Sequence, residues 1–143
     1  MRFNGRMTTT PPPTPPNVPP PGYVPPQPLS PNDERLWSTL IHVGGIFFGF
    51  IPALIGYLVL KDRGPFVRAH STTALNFQLT VLIASFAAGI IAGILAATIF
   101  LAPLGFLVIL AVGVYLVVFS IIAALAANKG EFYKYPLTIE FLK

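Results

Sequence analysis

Two uninterrupted apolar blocks dominate the chain. Leu36 to Leu60 contains no Asp, Glu, Lys or Arg over 25 residues, and Ala69 to Asn128 contains none over 60. A helix on the surface of a soluble protein keeps one polar face for water. These blocks have none, so their solvent is lipid. The first block makes a helix of about 37 Å, enough to cross a ~30 Å hydrocarbon core with tilt. The second would extend about 90 Å as one helix and must fold back. Its strong breaker is Leu101-Ala102-Pro103-Leu104-Gly105. The pattern predicts an all-α membrane protein with three transmembrane helices, at about 36–60, 73–100 and 104–127, within a domain covering 36–143.

Polar residues at the block edges supply helix ends. Asn32 or Asp33 is expected to cap the first helix, and Ser71 or Thr72 the second. Asn128-Lys129-Gly130 carries the C-terminal signals of the third. Pro52 lies inside the first block, where it removes a helical hydrogen bond and predicts a kink. The alternative at Pro52 is a full break into two re-entrant half-helices. After Gly130, the apolar alternation from Tyr135 to Phe141 resembles a strand without a partner. An interfacial segment with Tyr133 and Tyr135 at headgroup depth is the expected form.

Composition agrees: 54% of residues are hydrophobic and 10% charged, against about 25% charged in soluble domains. Residues 1–35 hold 12 of the 16 prolines. Such a segment cannot build helix or sheet, and a disordered proline-rich tail is expected there. Its P-x-x-P spacings arise by chance in so proline-rich a stretch. Met1 to Met7 lead into no apolar core segment, which argues against a cleavable signal peptide. The chain has no cysteine, so its redox compartment cannot be read.

The formal net charge is +4. Its cations flank the apolar blocks as topology determinants and form no nucleic-acid stripe. With three spans, Lys61, Arg63, Arg68, Lys129, Lys134 and Lys143 share one side, against Arg35 close by on the other. That asymmetry predicts a multi-pass plasma-membrane protein with the N-terminus outside and the C-terminus cytoplasmic. A break at Pro52 would instead return the tail to the cytoplasm.

Candidate residues fall into two groups. Gly45, Gly49 and Ala53 on the first span, and Ser85, Gly89, Gly93 and Ala97 on the second, recur at intervals of four. Small residues at that spacing let helix backbones approach closely in lipid. Packing between the first two spans is the expected use, and homo-oligomerisation the alternative. The second group, Lys61, Arg63, Phe66, Arg68, His70 and Asn76, surrounds the loop after the first span. Phe66 and Val67 are expected to anchor that loop, so that Arg68 and His70 stand beside Asn76.

His42 is an ionisable group inside an apolar block, which marks a functional candidate by default. No second His, Asp, Glu or Cys within that block completes a metal site or relay, and a structural histidine is the expected reading. None of the five acidic residues lies inside a block, and phosphate-loop and catalytic motifs are missing. No enzyme activity, cofactor or metal is expected. The partners implied are the bilayer and other membrane proteins, with no nucleic acid.

Several clusters together resemble a known family. They are Leu36-Trp37 with Ile41-His42, Ile51-Pro52, Lys61 through His70, Ala74-Leu75-Asn76-Phe77-Gln78, Asn128-Lys129-Gly130-Glu131, and Tyr135-Pro136-Leu137-Thr138. The set looks like a widespread family of small bacterial membrane proteins of unknown function, over about residues 33 to 143. That family is distantly similar to the channel-type subunit of the chloroplast inner-envelope protein translocon (Tic). The resemblance implies a bacterial plasma-membrane protein and transfers no catalytic residue. Two functions follow as expectations: a non-catalytic scaffold or accessory component of a membrane complex, or a subunit of an oligomeric channel or translocation pore.

Overall fold

A computed structural model describes residues 22 and 24–143. The tail expected over 1–35 therefore lies largely outside the described residues. Four helices follow: α1 (Pro31–Phe48), α2 (Ile51–Leu60), α3 (Pro65–Ala96) and α4 (Ala102–Lys129). The all-α expectation holds, but the three-span expectation does not. Two helices, α3 and α4, are long and apolar enough to cross a membrane. Only 11% of the most apolar stretch of each is buried within the protein, so neither is the core helix of a soluble fold.

The first apolar block is two helices folded back on each other. The chain turns at Gly49, whose φ of +61° lies in the region that side chains disfavour. Pro52 then occupies the first turn of α2, where its missing N–H is harmless. The return is antiparallel and close. Gly44 of α1 faces the Pro52 ring, and Gly56 of α2 faces Ile41 and Ser71. The break thus falls three residues before the proline, at the glycine that can take the turn.

This reversal brings the start of α1 back to the start of α3. Leu29 N–H donates to the Arg63 carbonyl at 2.7 Å. The Glu34 carboxylate accepts from Phe66 N–H at 2.8 Å and Val67 N–H at 2.9 Å. Glu34 therefore caps α3 from a different helix, satisfying donors that no side chain of α3's own N-cap reaches. Gly64 makes room for it, since a Cβ there would collide with the Glu34 carboxylate. The start of α1, the 61–64 turn and the C-terminal segment consequently share one end of the molecule. The expected placement of the two termini on opposite sides rests on Leu36–Leu60 forming a single span, and the structure divides that block between α1 and α2.

Other helix ends shift too. α1 is capped by Ser30, whose Oγ accepts from Asp33 N–H at 3.2 Å, with Pro31 opening the helix. α3 begins at Pro65, eight residues ahead of the expected start, and Ser71 Oγ donates within the helix to the Arg68 carbonyl. α4 ends as expected, with Gly130 left-handed at φ +80°.

At the far end α3 and α4 pack on each other through small residues. A Cβ on Gly105 would stand 3.0 Å from the Ala92 Cα, so the backbones are in close contact there. Ala88 and Ala92 are the buried positions of α3 in this half. Gly89 and Gly93 face outward with nothing within 4 Å, and Ser85 and Ala97 are exposed. The ridge expected to pack α3 on the first span does not do so in the monomer. Gln78 takes that place, lying against Gly45, while Ala53 is fully buried in the core with Ile41, Leu60 and Val67.

Candidate functional site

The charged end of the molecule encloses a buried polar chain built from three distant segments. α1 contributes His42, α3 contributes His70, and the segment after α4 contributes Tyr135 and the Glu131 carbonyl. His42 and His70 are 1% exposed and Tyr135 is 3% exposed. His70 Nε2 lies 3.0 Å from the Glu131 carbonyl, His70 Nδ1 lies 2.9 Å from His42 Nε2, and His42 Nδ1 lies 2.8 Å from the Tyr135 hydroxyl.

With both imidazoles neutral, the tautomers follow from the one group that can only accept. The Glu131 carbonyl requires a proton on His70 Nε2, which leaves His70 Nδ1 as an acceptor. His42 Nε2–H donates to it, which leaves His42 Nδ1 as an acceptor for the Tyr135 O–H. Every bond then has a direction. All four imidazole nitrogens are thereby paired with both rings neutral, so the arrangement joins α1, α3 and the C-terminal segment without burying a charge.

Aromatic rings wall the chain. Tyr135 stacks on Phe77 at 3.8 Å between centroids and 9° between planes. Phe66 packs on His70 at 4.4 Å and on Phe132 at 5.2 Å. Burial, and secondarily Tyr133, raise the pKa of the Tyr135 hydroxyl above its ordinary value of 10.0. Tyr135 therefore belongs to the core, not to the headgroup layer where the sequence puts it.

The C-terminal segment is held as a strap. Asn76 Oδ1 accepts from Phe141 N–H at 3.1 Å and Leu142 N–H at 2.9 Å, and its Nδ2 donates to the Leu142 carbonyl at 2.9 Å. One turn along α3, Thr80 Oγ1 accepts from Ile139 N–H at 3.0 Å. Tyr115 of α4 donates its hydroxyl to the Pro136 carbonyl. The strand-like alternation thus reflects an extended chain whose backbone groups are satisfied by helix side chains instead of a second strand. An exposed ion pair, Lys134 Nζ to Glu140 at 2.6 Å, bridges the strap over a small cavity of about 210 Å³ lined by Thr72, Thr73, Asn76 and Thr138. That hydrogen-bonded pair raises the pKa of Lys134 and lowers that of Glu140.

The expected loop surface divides. Phe66 lies in the first turn of α3, half-buried against His70 and Phe132, and Val67 is fully buried. His70 and Asn76 point inward, to the polar chain and the strap. Lys61 lies over the Tyr57 ring at 5.0 Å, Arg63 Nε donates to the Gln27 carbonyl at 3.0 Å, and Arg68 is exposed. Glu34, Tyr135 and the pairing of His42 with His70 were not expected. Only their spacing beside apolar runs signals them, since the partners stand 28 and 93 residues from His42. Among the described residues, no group of three or more His, Cys, Asp or Glu is placed to hold a metal ion.

Neither a curated protein nor a solved structure matches the chain. Residues 33–142 match MamF/MmsF, described as the magnetosome magnetite crystal formation protein family. The match supports a small bacterial membrane protein family and gives the likeness to the chloroplast translocon no support. Covering most of the chain from α1 to the strap, it means that the protein belongs to the MamF/MmsF family.

Proposed function

We propose that this protein serves magnetosome magnetite formation as a non-catalytic membrane scaffold, presenting a rigid cationic face to protein partners on the cytoplasmic side. The observation that carries this reading is the polarity of the molecule along its axis. All seven Lys and Arg of the described residues lie at one end, together with all five Asp and Glu, so that end is charged and carries a small net positive excess. Between Phe86 and Val114 the lone polar side chain is Thr98. A pore needs water-facing groups along its length, so the channel reading has less support. The cation excess makes the charged end cytoplasmic. The buried polar chain and the strap hold that end in one shape, as a docking face requires.

The experiment has two arms. Chemical crosslinking in native membranes, followed by purification in mild detergent, should recover protein partners that Lys61→Gln/Arg63→Gln/Arg68→Gln loses. Reconstituted protein should leave the ion permeability of vesicles unchanged. A partner set indifferent to the triple variant, or measurable ion flux, would overturn the scaffold reading. Orientation is tested separately with single cysteines. Asn32→Cys and Thr138→Cys should both be protected from an impermeant thiol reagent in intact cells, and labelling of either contradicts a cytoplasmic charged end.

A further inference from the structure

The hairpin of α1 and α2 does not reach as far as α3 and α4. Its turn, Gly49 and Phe50, shares a cavity with Gln78, Val81, Leu82 and Ser85 of α3 and Leu116 of α4. Beyond that level α3 continues from Phe86 to Ala96, about 16 Å, and α4 occupies a similar depth. The half of the molecule nearer the charged end therefore contains four helices and the other half two. At about 10–12 Å per helix, two extra helices add roughly 160–220 Å² of cross-section to that half.

The hairpin lies within the hydrocarbon, not on top of it. Phe47, Phe48, Ile51, Ile55, Leu58 and Val59 are exposed on its outer faces. α3 and α4 likewise expose large apolar residues, among them Phe86, Ile94, Phe106 and Val114, and apolar surface of this extent requires cover. Lipid is the cover consistent with the two spanning helices. Lys61, at the end of α2, can extend to the interface, so the hairpin occupies the leaflet at the charged end and stops inside the bilayer.

We infer that the molecule is a one-sided wedge that favours curved bilayers, with the leaflet at the charged end on the convex side. The inference rests on the membrane-embedded reading but not on the scaffold role. Packing excess area into one leaflet relieves strain where that leaflet is stretched, and the protein should concentrate there.

The test uses the full chain carrying Thr138→Cys with a fluorescent label, in phosphatidylcholine–phosphatidylglycerol vesicles of one composition and a wide range of diameters. A membrane-impermeant quencher identifies the molecules whose labelled position faces outside. Their density per unit area should rise severalfold from the largest vesicles to the smallest, and the inward-facing molecules should show the opposite trend. Density independent of diameter for both orientations would overturn the wedge. The scaffold reading would survive that result, since crosslinking tests it. A second chain with Gly49→Ala and Pro52→Ala favours a continuous first helix, verified by a change in the side on which Asn32→Cys is labelled. Once straightened, it should lose the gradient. If it keeps the gradient, the hairpin is not its source and the inference fails. Should the hinge variant not fold, the wild-type gradient alone decides.

Discussion

Tyr135 shows how one side chain can join three segments. Its hydroxyl donates to His42 Nδ1 and its ring stacks on Phe77. Tyr135→Phe keeps the stack and leaves a buried imidazole nitrogen without a donor, a loss of about 1–3 kcal/mol. The sign of its pH dependence is fixed by the raised pKa of the phenol. The folded state favours the protonated form, so this stabilisation is present below the unfolded value near 10 and falls as pH rises above it. Thermal unfolding in detergent should show the wild type losing stability in that alkaline range more steeply than Tyr135→Phe. Parallel curves would mean that Tyr135 is not the titrating group. Asn76 gives a second residue-scale prediction. Asn76→Leu removes three bonds to the strap and strands the Phe141 and Leu142 amides. It should destabilise by about 1–3 kcal/mol and make the C-terminal segment sensitive to protease. The sequence marked His42, His70 and Asn76 as candidates. It could not pair them, because hydrogen-bond partners tens of residues apart have no periodic signature.

At the scale of elements, the long apolar helices and the turn between them were legible, while the reversal within the first block stood only as the alternative to a kinked span. Hydrophobicity alone distinguishes lipid from water, and it located α4 to within two residues at each end while placing α3 late by eight residues at its start. It does not distinguish one crossing helix from two half-length helices, since both expose the same apolar residues to lipid. The local signal for the hairpin was Gly49 together with Pro52, a residue able to turn followed by one that opens helices. The start of α3 was misplaced for a related reason. Its cap comes from Glu34, on a different helix, and no local residue announces it. Glu34→Ala should therefore loosen the α1–α3 junction. Two N-terminal amides lose their acceptor, a loss of about 1–2 kcal/mol by comparison with ordinary caps. Glu34→Gln, which keeps an acceptor oxygen, should lose less. Amide exchange at Phe66 and Val67 measures the effect directly, and equal exchange in all three proteins would remove Glu34 from this role.

For the whole molecule, the strap closes the fold. α1 and α3 bring the two histidines together, but the third wall of their enclosure comes from residues after α4. Glu131 supplies the terminal acceptor, Phe132 stacks over His70 at 12° between planes, and Tyr135 covers His42. The bundle is thus complete only when the last residues of the chain fold back along α3. Ending the chain at Gly130 removes these partners together while leaving α4 and its Gly130 cap intact. The helices should still insert, because their apolar length is unchanged. His42 and His70 should then become reactive toward diethyl pyrocarbonate in detergent, whereas both are protected in the full chain. Helical content by circular dichroism should remain near the wild-type value while the unfolding midpoint falls. Continued protection of both histidines in the truncated protein would mean that α1 and α3 alone enclose them, and that the strap only covers a site already closed.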